Sequence, residues 1–168
     1  MSPLSLVSYA DGDISLTEAL ECDPAVMAEL GGPQPREAIA DIHARRLAHV
    51  ASGGWWFKIV PEGSSAGVGT IGIWESEWKG ERGHEMGWLV LPAFQGRGLA
   101  GAAARLILAR ARAAGGYGAV HAFPGIANAA SNAVCRKCGF ERLEECEVDY
   151  SGRLLRCNHW RIDLAGGA

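Results

Sequence analysis

Leu89-Val90-Leu91-Pro92-Ala93-Phe94-Gln95-Gly96-Arg97-Gly98-Leu99-Ala100-Gly101 decides the fold class of this 168-residue chain. An apolar run ends in Leu91-Pro92, a glycine-rich turn follows, and an Ala- and Leu-rich stretch continues to Gly115-Gly116. The pattern predicts a strand over 84–91, a turn, and a helix over 98–114. The first N–H groups of a helix have no intrahelical partner and carry the positive end of its dipole, so such a turn suits phosphate oxygens. Glycine lets the main chain approach them without an intervening Cβ.

Two nucleotide patterns fail here. The P-loop pattern G-x-x-x-x-G-K-[ST] is absent, because no lysine lies in the turn. The dinucleotide pattern G-x-G-x-x-G is literally present as Gly96, Gly98 and Gly101. Its glycines should follow directly on the strand, yet Pro92-Ala93-Phe94-Gln95 intervene, and no acidic residue follows before Glu141 to hold a ribose.

Working outward, strands are expected over 4–9, 55–60, 68–74 and 119–123, and a closing hairpin over 141–148 and 154–162 around Ser151-Gly152. Ser15-Leu16-Thr17-Glu18 reads as a capping box opening a helix to about Cys22. Pro24 opens a short helical piece, and Pro35 stands as the first residue of a helix reaching Ser52. A helix over 129–138 and a polar loop over 75–83 complete the pattern. Strands paired as neighbours followed by a β-α-β crossover make an α/β (α+β) chain, a mixed sheet with helices on its faces. One domain over 1–168 is expected from the length.

Composition narrows the function. Hydrophobic residues are 48% and charged residues 21%, ordinary globular usage. No apolar run approaches the ~20 residues of a membrane span, and the first residues lack a signal-peptide pattern, so a cytoplasmic protein without a membrane partner is expected. A net charge of −3 argues against nucleic-acid binding by bulk charge. Yet no acidic residue occurs between Met86 and Phe140, where Arg97, Arg105, Arg110, Arg112, Arg136 and Lys137 all fall, so this segment is read as facing an anion. Cys22, Cys135, Cys138, Cys146 and Cys157 are odd in number and lack paired metal spacing, so free thiols and no metal are expected.

Gln95-x-x-Gly98-x-Ala100, between a strand ending in Leu-Pro and an Ala-rich helix, resembles the acetyl-CoA pyrophosphate signature of the GNAT superfamily of N-acetyltransferases. Asn128-Ala129-Ala130-Ser131 and Lys137-Cys138-Gly139-Phe140 resemble the second conserved block of that superfamily, N-x-x-S…K-x-G-F. Asp23-Pro24, Val26-Met27, Leu30-Gly31-Gly32 and the tryptophan-bearing strands resemble the branch that includes the RimJ/RimL-type ribosomal-protein N-terminal acetyltransferases. The resemblance covers about residues 4–162. It implies a mostly antiparallel sheet of about seven strands with helices on both faces, acetyl-CoA as acyl donor, and direct attack by a primary amine in a ternary complex. The acceptor is then a protein N-terminal α-amine or a small-molecule amine, and a homodimer is admitted without any segment specifying its interface.

The same resemblance assigns roles. Backbone N–H groups of Gly96, Arg97, Gly98, Leu99, Ala100 and Gly101 hold the pyrophosphate, with added charge from Arg97, Arg136 or Lys137. Leu89, Val90 and Leu91 supply backbone groups to the pantetheine arm and a donor to the thioester carbonyl. Asn128 contacts the pantetheine or caps the following helix. Ser131 faces the leaving thiolate, and the position of a recurrent tyrosine acid holds Cys135 instead. Glu85 aligns with a recurrent glutamate and stands as base, sharing a strand face with Gly87, Leu89 and Leu91. Trp74, Glu75, Glu77 and Trp78 offer an aromatic, acidic lining for a cationic acceptor. The missing tyrosine also leaves open a catalytically silent acyl-CoA-binding or sensing module.

Overall fold

The computed structural model describes residues 4–165. Strands β1 (Leu4–Ser8), β2 (Trp55–Pro61), β3 (Gly69–Trp78) and β4 (Glu81–Val90) form an antiparallel meander. β5 (Ala119–Ala122) joins β4 in parallel, and β6 (Glu141–Tyr150) and β7 (Arg153–Asp163) form a hairpin whose β7 lies beside β5. The result is one seven-stranded sheet in the order β1-β2-β3-β4-β5-β7-β6, antiparallel except at β4–β5.

Two layers of helices cover it. α1 (Ile14–Glu21) and α2 (Ile39–Ala51) lie on one face, where Arg46 of α2 stacks on Trp56 of β2. α3 (Leu99–Ala114) and α4 (Ala129–Lys137) lie on the other. Every fourth residue of α3, namely Leu99, Ala103, Ile107 and Ala111, is buried, the stripe expected of a helix lying on a sheet. That stripe packs on Leu6, Ile59, Ile71, Ile73, Met86, Val90 and Val120, which alternate with residues facing the other layer.

Three local expectations are corrected. Residues 75–83 are not a loop: β3 runs to Trp78 and β4 starts at Glu81, joined by Lys79-Gly80, both at positive φ as a two-residue hairpin turn requires. The Ser15-x-x-Glu18 box does not start α1. The helix already begins at Ile14, because Asp13 is fixed by Lys58 of β2 at 2.8 Å and accepts the Ala10 N–H at 2.9 Å. After Pro24 only a single 3-10 turn, Ala28–Leu30, forms, since the Asp23 carboxylate takes the N–H groups of Ala25 and Val26 into an Asx turn.

Candidate active site

The parallel pairing of β4 with β5 lasts two residues, His84↔Val120 and Glu85↔His121. Beyond Glu85, β4 stays with β3 as far as Val90, while the chain after β5 continues along β7. There Gly125 bridges Cys157, and the Asn158 N–H donates to the Pro124 carbonyl at 2.9 Å. The two strands part, and a cleft opens between them in the middle of the sheet.

Alternation says which groups of β4 face the opening. The Leu91 N–H donates to the Val68 carbonyl on the β3 side at 2.9 Å, and the β3–β4 register has no bulge. The backbone polar groups of Leu89 and Leu91 therefore turn to β3, and those of Trp88 and Val90 turn to the open edge. This corrects the expected backbone role of Leu89 and Leu91. Leu89 instead lines the cleft with its side chain. The Val90 carbonyl is taken by the Gln95 amide at 2.9 Å, which ties the glycine-rich turn to the strand end.

Gly96 and Gly98 stand at φ 72° and 75°, and a Cβ at either would meet open space, so conformation rather than crowding demands glycine. Ala102 makes the first bond within α3, to the Gly98 carbonyl at 3.0 Å, which leaves the N–H groups of Leu99, Ala100 and Gly101 ahead of the ladder. The Cys138 thiol contacts the Gly101 carbonyl at 3.8 Å, so the C-terminal end of α4, with exposed Arg136 and Lys137, abuts this first turn. Arg97 lies over the Phe94 ring at 5.2 Å. An anion at this turn would meet a helix N-terminus and basic side chains.

Across the cleft, the Asn128 side chain accepts the Ser131 N–H at 3.0 Å, capping α4, while both residues line the opening. Asn132, buried one residue on, holds this corner. Its amide donates to the carbonyls of Gly125 (2.9 Å) and Asn128 (2.8 Å), and its oxygen accepts from Asn158 (2.8 Å) and Trp160 (2.9 Å). No motif in the sequence marks Asn132, because its partners come from segments up to 28 residues away.

The floor on the α1–α2 side is aromatic. Trp56 lies over Gly72 and Trp74 over Gly87, where a Cβ would come within 2.5 and 2.8 Å of the rings. The two indoles stack at 5.4 Å and 28°. Glycines inside strands are the one sequence signal that could have revealed this pair. Glu85 lies beside them on the same face, with its carboxylate accepting the Ser76 hydroxyl at 3.3 Å. Burial pushes its pKa up, only partly opposed by hydrogen bonds from Ser76 and Trp74. Behind the indoles, Arg46 donates to Thr17 at 2.9 Å and forms a buried pair with Glu21. Val148, Tyr150 and Leu155 of the β6–β7 hairpin close the outer wall. Burial, reinforced by Glu21, raises Tyr150 to about 12, so it stays a neutral phenol.

Other predicted residues lie elsewhere. Cys135 is 0% exposed in the core beneath α4, does not line the cleft, and is pushed up by burial to about 12. A thiol so placed has no path to a leaving group, so its expected acid role is corrected. Glu75 is exposed on the opposite side from Trp74, as alternation along β3 demands. Trp78 sits four residues further along the strand, tilted against Phe123 and His159 at 4.8 and 5.2 Å. Neither lines the cleft; of the expected acceptor residues only Trp74 does.

Residues 4–141 match the model of the acetyltransferase (GNAT) domain, and the chain belongs to that family of acetyltransferases. Solved structures share its fold at low identity. A putative acetyltransferase from Salmonella typhimurium, solved with acetyl-CoA, is 20% identical with TM-score 0.76, covering 98% of this chain and 96% of its own. Spermidine N-acetyltransferase from Vibrio cholerae, in complex with CoA and spermine, is 17% identical with TM-score 0.76 over 96% of each chain. RimL, a ribosomal L7/L12 α-N-protein acetyltransferase in complex with CoA, is 15% identical with TM-score 0.76 over 97% and 95%. No curated protein matches the chain in sequence. No helix among the described residues is long and apolar enough to cross a membrane.

Proposed function

We propose that this chain transfers the acetyl group of acetyl-CoA to a primary amine, a protein N-terminal α-amine or a small-molecule amine, by direct attack in a ternary complex. The observation that carries this reading is the parting of β4 and β5 immediately after Glu85, which sets a half-buried carboxylate beside a strand edge that β5 no longer covers. The residues present suit acetyl-CoA. Gly96 to Gly101 and the nearby Arg97, Arg136 and Lys137 offer the pyrophosphate N–H groups and charge. The open edge at Trp88 and Val90 offers an extended amide-bearing arm a strand to pair with. Asn128 and Ser131 face that arm from the other side.

The donor supplies an activated thioester. The amine nitrogen forms the new C–N bond as the C–S bond breaks, and an N–H from the Trp88–Val90 edge steadies the charge developing on the carbonyl oxygen. Glu85 receives the proton that the attacking amine must lose. At pH 7 deprotonation costs about 1.4 kcal/mol for an α-amine of pKa ~8 and about 4.6 kcal/mol for a lysine-like amine of pKa ~10.4. A carboxylate whose pKa is raised is the better base for either. The Ser131 hydroxyl, or water beside it, returns a proton to the departing thiolate.

Initial rates of thiol release, with acetyl-CoA and an amine varied together, test this. Intersecting double-reciprocal lines are expected; parallel lines would mean a covalent acetyl-enzyme and overturn direct attack. Binding of acetyl-CoA without turnover on any amine would favour the sensing module.

A further inference from the structure

We propose that the acceptor arm of the cleft takes a primary monoamine whose remaining body is apolar, with no second cationic centre and no carboxylate beside the amine. The inference rests on the acetyl-transfer reading above and goes on to name the substrate class. It follows from which charges the arm holds and which of them are already engaged.

The arm is walled by Val26, Leu30, Trp56, Trp74, Val148 and Leu155, drawn from the α1–α2 connection, the sheet and the β6–β7 hairpin. Four charged side chains line the cleft: Glu21, Glu29, Arg46 and Glu85. Glu21 and Arg46 cancel each other as a buried pair, their side chains 4% and 7% exposed. The second guanidinium nitrogen of Arg46 is bonded to Thr17, and its plane lies 4.8 Å from the Trp56 ring centroid. Among the described residues, no cation lining the cleft is therefore spare for a substrate carboxylate. Glu29 is exposed at the mouth, against Gly125. That leaves Glu85, among the described residues, as the one carboxylate without an ion pair in the depth of the arm, next to the site of attack.

A single ammonium is matched by Glu85, and the apolar remainder by the aromatic floor and aliphatic walls. A second ammonium in the depth of the arm would lose water and gain no carboxylate, because Glu29 stands only at the exposed mouth. A carboxylate on the carbon bearing the amine would be buried beside Glu85 without a cationic partner. The same chemistry, an ammonium attached to an apolar group, is presented by a small arylalkyl or alkyl amine and by a peptide N-terminus whose first side chain is apolar.

Specificity constants at saturating acetyl-CoA decide the matter. 2-Phenylethylamine is expected to exceed phenylalanine, which differs by the carboxylate, by at least 100-fold, and putrescine and spermidine by at least 10-fold. A phenylalanyl peptide amide within 10-fold of 2-phenylethylamine points to a protein N-terminus, and one far below it to a small molecule. In Leu155→Glu, which adds a carboxylate to the wall, the putrescine-to-phenylethylamine ratio should rise at least 10-fold. Equal or better turnover of spermidine or phenylalanine would overturn the inference and leave acetyl transfer standing. Absence of turnover with every amine would overturn both.

Discussion

Glu85→Gln removes the proposed base while keeping its shape, and the Ser76 hydroxyl at 3.3 Å can still donate to the amide oxygen. A positioned general base is worth about 10²–10⁴-fold in rate. Without it only the neutral amine already present in solution reacts, about one molecule in ten for an α-amine and about one in 2,500 for a lysine-like amine at pH 7. The variant should therefore lose about 100-fold or more in kcat/KM at pH 7 and recover about tenfold per pH unit up to the amine's own pKa. The wild type should instead lose activity as pH falls through the raised pKa of Glu85, where the carboxylate becomes protonated. Folding moves the other way. A carboxyl whose folded pKa is raised gives stability that is fully present below its unfolded pKa and lost as pH rises through the folded one. At neutral pH Glu85→Gln should thus melt no lower than the wild type. The assay is thiol release across pH 5.5–9.5, paired with thermal melts. Activity within threefold of wild type at pH 7, with an unchanged pH profile, would refute the assignment.

Cys135→Ala should cost about 1 kcal/mol of stability by leaving a small core void, yet keep kcat within about threefold; a drop of 100-fold or more would restore the thiol as an acid. Gly98→Ala, at φ 75°, should cost about 1–2 kcal/mol and weaken acetyl-CoA affinity as the turn is distorted, read by melts and calorimetry together. Asn132→Leu should destabilise by about 3 kcal/mol or more, because the Asn158 and Trp160 donors lose their shared acceptor. Denaturant midpoints check that value. Ser131→Ala should lower kcat about tenfold while leaving acetyl-CoA affinity within twofold, since the cap on its N–H comes from Asn128 and survives.

The strand–turn–helix around Gly96 and Gly98 was legible because its signals are local: apolar runs, glycines at positive φ and a strong helix former each act within a few residues. Strand alternation placed Glu85 on one face with Gly87 and Leu89, and its alignment with a recurrent family glutamate singled it out. The acceptor side was not. The Trp56–Trp74 stack depends on β2, β3 and β4 coming into register so that Gly72 and Gly87 lie under the rings. Tyr150 reaches the cleft only because the β6–β7 hairpin folds toward the α1–α2 connection, where Arg153 bonds the Gly32 carbonyl at 3.3 Å. Glu75 and Trp78 were misplaced by treating 75–83 as a loop, which hid the alternation that sends Glu75 to the other face. Cys135 was assigned by its position in a motif, and position along a helix does not by itself say which face looks into the core.

Calorimetric titration of acetyl-CoA into the purified chain, with NADH as the control dinucleotide, tests the central claim most directly. Saturable one-to-one binding of acetyl-CoA, weakened by Gly98→Ala, with no heat from NADH, is the predicted result. Absence of acetyl-CoA binding, or equal binding of NADH, would contradict the reading of the parted strands and the glycine-rich turn as an acyl-donor site.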